Sequence, residues 1–179
     1  SFFSGSRVST IGEIKSRISQ MVTEGADILD FGACSTRPGS TPIPEDEEWQ
    51  RISLALDGYA QYISEGGTPA QISIDTFRSG IVCNAYDRVG PFIVNDISAG
   101  EDDSQMLKTV GELGLKYIAM HKRGTPENMQ HHCDYEDIIE DIIQYFREFG
   151  IRAAQAGITG WVLDPGFGFS KTIEQNYQL

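Results

Sequence analysis

The chain has 179 residues, 40% of them hydrophobic, and a formal net charge of -12. That is enough for one domain with its own core, and the acidity argues against a general nucleic-acid surface, which needs a basic stripe. No apolar run approaches the roughly 18 residues of a membrane span. Three scattered cysteines, Cys34, Cys83 and Cys133, with no CxxC pair, speak against a disulfide framework and fit a reducing, cytoplasmic compartment.

From the N-terminus, strand and helix patterns alternate. Thr10-Ile-Gly-Glu13 reads as a capping box, and Ile11, Ile14, Ile18, Met21 and Val22 then recur at helical spacing until Gly25. Asp27 to Asp30 reads as a short buried strand. Pro44 opens a second helix with acids in its first turn, favourable for the macrodipole; it carries Trp49, Ile52 and Leu56 and ends at Gly66-Gly67. Strands are predicted at Gln71 to Ile74, Pro91 to Val94, Leu115 to Ala119 and Trp161 to Leu163. Between them lie a short helix with Ile81, Val82 and Ala85 and another with Met106, Val110 and Leu113. A long amphipathic helix follows, with Ile138, Ile139, Ile142, Ile143, Phe146 and Phe149, stopping at Gly157.

This β-α-β-α rhythm without hairpin signals predicts an α/β fold with a parallel sheet. The strand ends read Asp30, Asp75, Asn95-Asp96, Met120-His121 and Asp164, each delivering a polar group. A (β/α)8 barrel gathers such ends around one mouth, where its active site lies, whereas an open sheet spreads them along an edge. A TIM (β/α)8 barrel is therefore expected over residues 1–179, truncated at both ends. One strand is expected before Ser1 and two after Leu179.

The stretch LDPGFGFSKT, Leu163 to Thr172, looks superficially like a phosphate-binding P-loop. That pattern needs a glycine directly before the lysine and another five residues earlier; here those positions are Ser170 and Pro165, so the P-loop is rejected. Phe167 and Phe169 suggest an aromatic wall beside a pocket for a planar ligand. Asp164 could pair in bidentate, charge-assisted fashion with the N–H and NH2 of an aminopyrimidine edge; a turn residue is the plainer role for an Asp before Pro-Gly. His131-His132-Cys133-Asp134 resembles a ligand cluster, but adjacent residues rarely converge on one metal.

Five stretches, DILDFGACSTRPGS, SIDTF, IVNDISAGEDDSQM, YIAMHKRGTPENMQ and VLDPGFGFSKT, occur in the order found in dihydropteroate synthases, and the chain resembles that branch of the pterin-binding family. Cys34 stands where that family usually carries Glu or a similar residue. The resemblance implies a reaction in which 6-hydroxymethyl-7,8-dihydropterin pyrophosphate loses pyrophosphate to 4-aminobenzoate, giving the folate precursor dihydropteroate. It implies Asp75, Asn95 and Asp164 as the catalytic groups that hold the pterin, with Ile97 and Met120 close to its ring. Thr36, Arg37, Pro38 and Phe169 would build the aminobenzoate site, and Asp30 would lie near the pyrophosphate end. It also implies Mg2+, with its Asn ligand before Ser1, a sulfonamide target, small-molecule substrates and a homodimer for a full-length protein. Because the family's C-terminal Lys, Arg and His would follow Leu179, the 179-residue chain is expected to be inactive alone. Two other readings stand beside this one: a pterin-binding domain transferring a methyl group from a folate to a corrinoid, and a non-catalytic truncated pterin-binding module.

Overall fold

A computed structural model describes residues 10–35, 43–125 and 127–179. Its elements are α1 (Ile11–Thr23), β1 (Ile28–Gly32), α2 (Glu45–Ser64), β2 (Gln71–Asp75), α3 (Ser79–Val89), β3 (Ile93–Asp96), α4 (Met106–Leu113), β4 (Lys116–Met120), α5 (Ile138–Gln155), β5 (Trp161–Asp164) and α6 (Ile173–Gln178). A single turn of 3-10 helix, Met129–His131, precedes α5.

Local chemistry explains the boundaries. Thr10 and Glu13 close a reciprocal capping box at α1, and Thr172 and Gln175 close another at α6, so each helix start has two of its free N–H groups satisfied. Asp137 caps α5 through Ile139 N and Glu140 N. At the other end of α4, Gly114 adopts the left-handed conformation that a side chain resists.

The five strands are parallel and ordered β1-β2-β3-β4-β5. Each strand pairs with its neighbour in sequence and no switch point interrupts the order, as in a (β/α)8 barrel and unlike a doubly wound sheet. One face of the sheet packs against the helices. Ile74, Val94, Tyr117 and Ala119 from the strands join Ile52, Leu56, Ile81, Val82, Val110 and Phe149 in one buried cluster. Leu29 joins Ile14 and Ile18 in a second. Tyr117 stacks on Phe149 at 5.8 Å, and Phe149 meets Trp161 edge-on at 6.1 Å, which docks α5 across β4 and β5.

The strands run slightly further towards their carboxyl ends than their apolar residues indicate. β1 continues to Gly32, so Asp30 is a mid-strand residue and not a strand end. The apolar stripe of α5 is also broader than its buried face: Ile138, Ile142 and Phe149 are buried, while Ile139 and Ile143 stay 39% and 38% exposed. Cys83, which lies in a helical pattern, is exposed on α3.

Candidate active site

Side chains alternate across each strand. With Leu29, Ile74, Val94, Tyr117 and Trp161 turned towards the helices, the opposite, inner face carries Asp30, Ser73, Asp75, Asn95, Met120 and Asp164. Register shows how these meet. Asp30 is level with Ser73 in the β1–β2 ladder, and Ser73 is level with Ile93. Yet Asn95, two residues further along, is the one that reaches Asp30: its Nδ2 lies 3.4 and 3.3 Å from the two carboxylate oxygens. Side chains on alternate strands therefore come level after a rise of two residues, the stagger that strand tilt imposes on a barrel.

The same rise carries Asn95 to Asp164, because Asn95 pairs with Ile118 and Met120 pairs with Asp164. Asp30, Asn95 and Asp164 thus form one layer contributed by alternate strands. Asp75 and Met120 form the adjoining layer from the strands between. Beneath the first layer, two residues back on each strand, stand Ile28, Ile93 and Val162. Bulky apolar residues of that kind are what fill a barrel interior. Three acidic groups and an amide lying on such a plug make a floor for a polar, flat ligand.

The hydrogen bonds leave that floor rich in open acceptors. Asp30 accepts from Ser73 Oγ as well as from Asn95, so it is satisfied and it orients the Asn95 amide, whose Oδ1 meets no donor among the described residues. Asp164 Oδ1 accepts from Gly166 N–H at 2.8 Å, so it fills the turn role with one oxygen, and among the described residues the other accepts no hydrogen bond. Among the described residues no donor reaches the Asp75 carboxylate. Its pKa is pushed up to about 7, first by burial and then by the charge of Asp30. Gly32 makes this possible, since a Cβ there would lie 3.0 Å from both Asp75 Cβ and Oδ2.

The rim is built around this floor. Asp96, the helix-side neighbour of Asn95, accepts from Ser98 N and Ser98 Oγ, both at 2.7 Å, from Gly100 N at 2.9 Å and from Tyr117 OH. Burial raises its pKa against these bonds. The loop it ties down carries Ile97, which is 7% exposed. Met120 is 4% exposed at the end of β4. Phe169 lies half-buried in the turn after β5, while Phe167 is 57% exposed. Thr36, Arg37 and Pro38 lie outside the described residues.

Three partnerships were not legible in the sequence. Glu48 reads as one of four acids opening α2, yet it is fully buried, paired with Arg78 and accepting from Thr76 Oγ1 at 2.6 Å. Cys34 Sγ lies 3.8 Å from its other oxygen. Lys171 turns inward, and its Nζ lies 3.0 Å from Nδ1 of the neutral His121 ring. Ser73 was detectable in principle, because alternation puts it on the face of Asp75.

Among the described residues no group of three or more His, Cys, Asp or Glu side chains could hold an ion. A cavity of about 510 Å³ outside the strand mouth is lined by Lys122, Arg123, Asp141 and Glu101 among others. Most of its charges are already paired, Lys122 with Asp102, Arg123 with Asp141 and Glu101 with Arg152, while Glu148 accepts from Gln144 Nε2. No described helix is long and apolar enough to cross a membrane.

The pterin binding enzyme family matches residues 1–179. The mitochondrial folate synthesis bifunctional protein of Arabidopsis thaliana is 38% identical over 190 residues, covering 100% of this chain and 32% of that protein. The dihydropteroate synthase of Escherichia coli strain K12 is 34% identical over 181 residues, covering 100% of this chain and 62% of that enzyme. In space, the Yersinia pestis dihydropteroate synthase crystallised with a sulfonamide drug superposes with a TM-score of 0.87 at 31% identity, over 96% of this chain and 60% of that one. The Xanthomonas albilineans enzyme with 4-aminobenzoic acid gives 0.83 at 29% identity, over 99% and 61%. The chain thus spans between about a third and three fifths of the length of these relatives.

Proposed function

The chain belongs to the pterin binding enzyme family, and from that premise we propose that the protein containing it is a dihydropteroate synthase. The observation that carries the reading is the acidic floor: among the described residues, Asp75 meets no donor and Asp164 keeps one oxygen without a hydrogen bond, while Asn95 is oriented by Asp30. A ligand rich in N–H donors complements these acceptors, and the aminopyrimidine edge of a pterin presents an N–H and an NH2 side by side. Ile97 and Met120 supply apolar cover for the ring.

The chemistry follows from where charge develops. The C–O bond to pyrophosphate breaks and its electron pair leaves with the phosphate oxygen. Positive charge builds on the exocyclic methylene and spreads into the ring. Carboxylates in a buried site stabilise that cation more than the neutral ground state, which is the differential stabilisation that accelerates a reaction. The amine of 4-aminobenzoate then donates its lone pair to the methylene carbon and loses a proton, so little base catalysis is needed. Asp30 acts in this reading by orienting Asn95 and by adding negative charge beside Asp75.

Sequential binding tests the proposal. The full-length protein is expected to bind the pterin pyrophosphate first and a sulfonamide only in the presence of pterin and pyrophosphate. Asp164→Asn is expected to weaken pterin binding by about 1.5–3 kcal/mol, measured by calorimetry. Binding of a methyl-folate with no sulfonamide effect would favour the methyltransferase reading. Pterin binding without turnover in the full-length protein would favour the non-catalytic module.

A further inference from the structure

Lys171 is only 3% exposed, and a buried ammonium ordinarily takes a carboxylate partner. Here its hydrogen-bond partners are neutral, and the Asp164 carboxylate acts on it through its charge. Nζ lies 2.9 Å from Phe169 O, 3.1 Å from Gly166 O, 3.0 Å from His121 Nδ1 and 3.4 Å from His121 O. His121 is itself 2% exposed, and its pKa is pushed down to about 3 by burial and by the charges of Lys171 and Arg123. A neutral imidazole can accept at Nδ1, so the ammonium's donors all find acceptors within two short stretches: the end of β4 and the turn after β5.

That turn is held at nearly every polar atom. Phe169 N donates to Gly166 O at 3.1 Å, closing it. Gly168 N donates to Asn176 Oδ1 at 2.7 Å, and Gly168 O accepts from Gln130 Nε2 at 3.2 Å. Gly166, Gly168 and Ser170 all have positive φ, at 71°, 81° and 48°, which turns the carbonyls of residues 166 and 169 towards one point. A Cβ on Gly166 would lie 2.2 Å from His121 O, so the turn sits directly on the end of β4.

We propose that Lys171 is a positioning residue for the second substrate: its ammonium pins the Gly166–Phe169 turn to β4, so that Phe169 stands as a preformed aromatic wall for the aromatic amine. This rests on the dihydropteroate synthase reading for the identity of that substrate. The cation touches neither substrate; it acts through the two carbonyls it holds. Pre-organising the wall lowers the ordering cost of binding a small, flat ligand.

Two measurements on the full-length protein and its Lys171→Met variant test the inference. Amide hydrogen exchange across residues 166–170 is expected to speed about tenfold while exchange in α5 stays unchanged. In steady-state kinetics, KM for 4-aminobenzoate is expected to rise about tenfold while KM for the pterin pyrophosphate stays within about twofold. Unchanged exchange in the turn overturns the clamp, and an equal rise in both KM values, or none in either, overturns the positioning role. Lys171→Gln keeps two N–H donors without the charge and serves if the Met variant does not fold; an aminobenzoate KM equal to the wild type's would count against the inference. Should the wild-type protein form no dihydropteroate, the functional reading fails, and the exchange comparison still decides the clamp.

Discussion

Asp75 concentrates the tension between stability and function. An unfolded aspartate titrates near about pH 3.9, whereas the folded carboxyl is pushed up to about 7. Between those values the folded chain holds a proton that the unfolded chain has lost, so stability falls as pH rises through the window and the penalty persists above it. Asp75→Asn removes that penalty. The variant is expected to melt about 3–6 °C above the wild type at pH 8 and to match it below about pH 4, while binding pterin more weakly; a lower melting temperature at pH 8 would show that Asp75 is a stabilising group. Ligand N–H donors favour the ionised form, so pterin binding should release a proton below about pH 7. Affinity measured by calorimetry is then expected to fall by up to about tenfold per pH unit on the acid side and to be flat above about pH 8. A pH-independent affinity from pH 5 to 8 would remove Asp75 from contact with the ligand.

The helices and strands divide their work by face. α5 is docked by one ring: Phe149 is fully buried, stacked on Tyr117 and set against Trp161. Phe149→Ala is expected to destabilise the protein by about 3–5 kcal/mol in chemical denaturation; a loss below about 1 kcal/mol would mean that α5 is held chiefly by its other contacts. Element order and type were readable because apolar periodicity and end signals agree, as at Thr10-Ile-Gly-Glu13 and Gly114. What failed was local. The polar and glycine residues that finish β1, β2, β3 and β5 look like loop until register is known, because the inner face turns from apolar to polar towards the carboxyl ends of the strands. Glu48 was hidden among exposed acids, and the burial of Lys171 depends on a turn whose carbonyls converge only through three positive φ angles.

For the molecule as a whole, the order of motifs gave the candidate residues, but their meeting depended on a quantity no sequence pattern carries: the two-residue rise per pair of strands. That rise brings Asp30 beside Asn95 across an intervening strand and, continued, brings Asp164 level with them. It also sets this polar layer on Ile28, Ile93 and Val162. The functional reading therefore stands or falls with the ligand's position on that layer. The decisive measurement is a crystal structure of the full-length protein with a 6-hydroxymethyl pterin bound. The aminopyrimidine edge is expected within about 2.7–3.2 Å of the Asp75 and Asp164 carboxylates and the Asn95 amide. A pterin seated elsewhere, with those three side chains untouched, would contradict it.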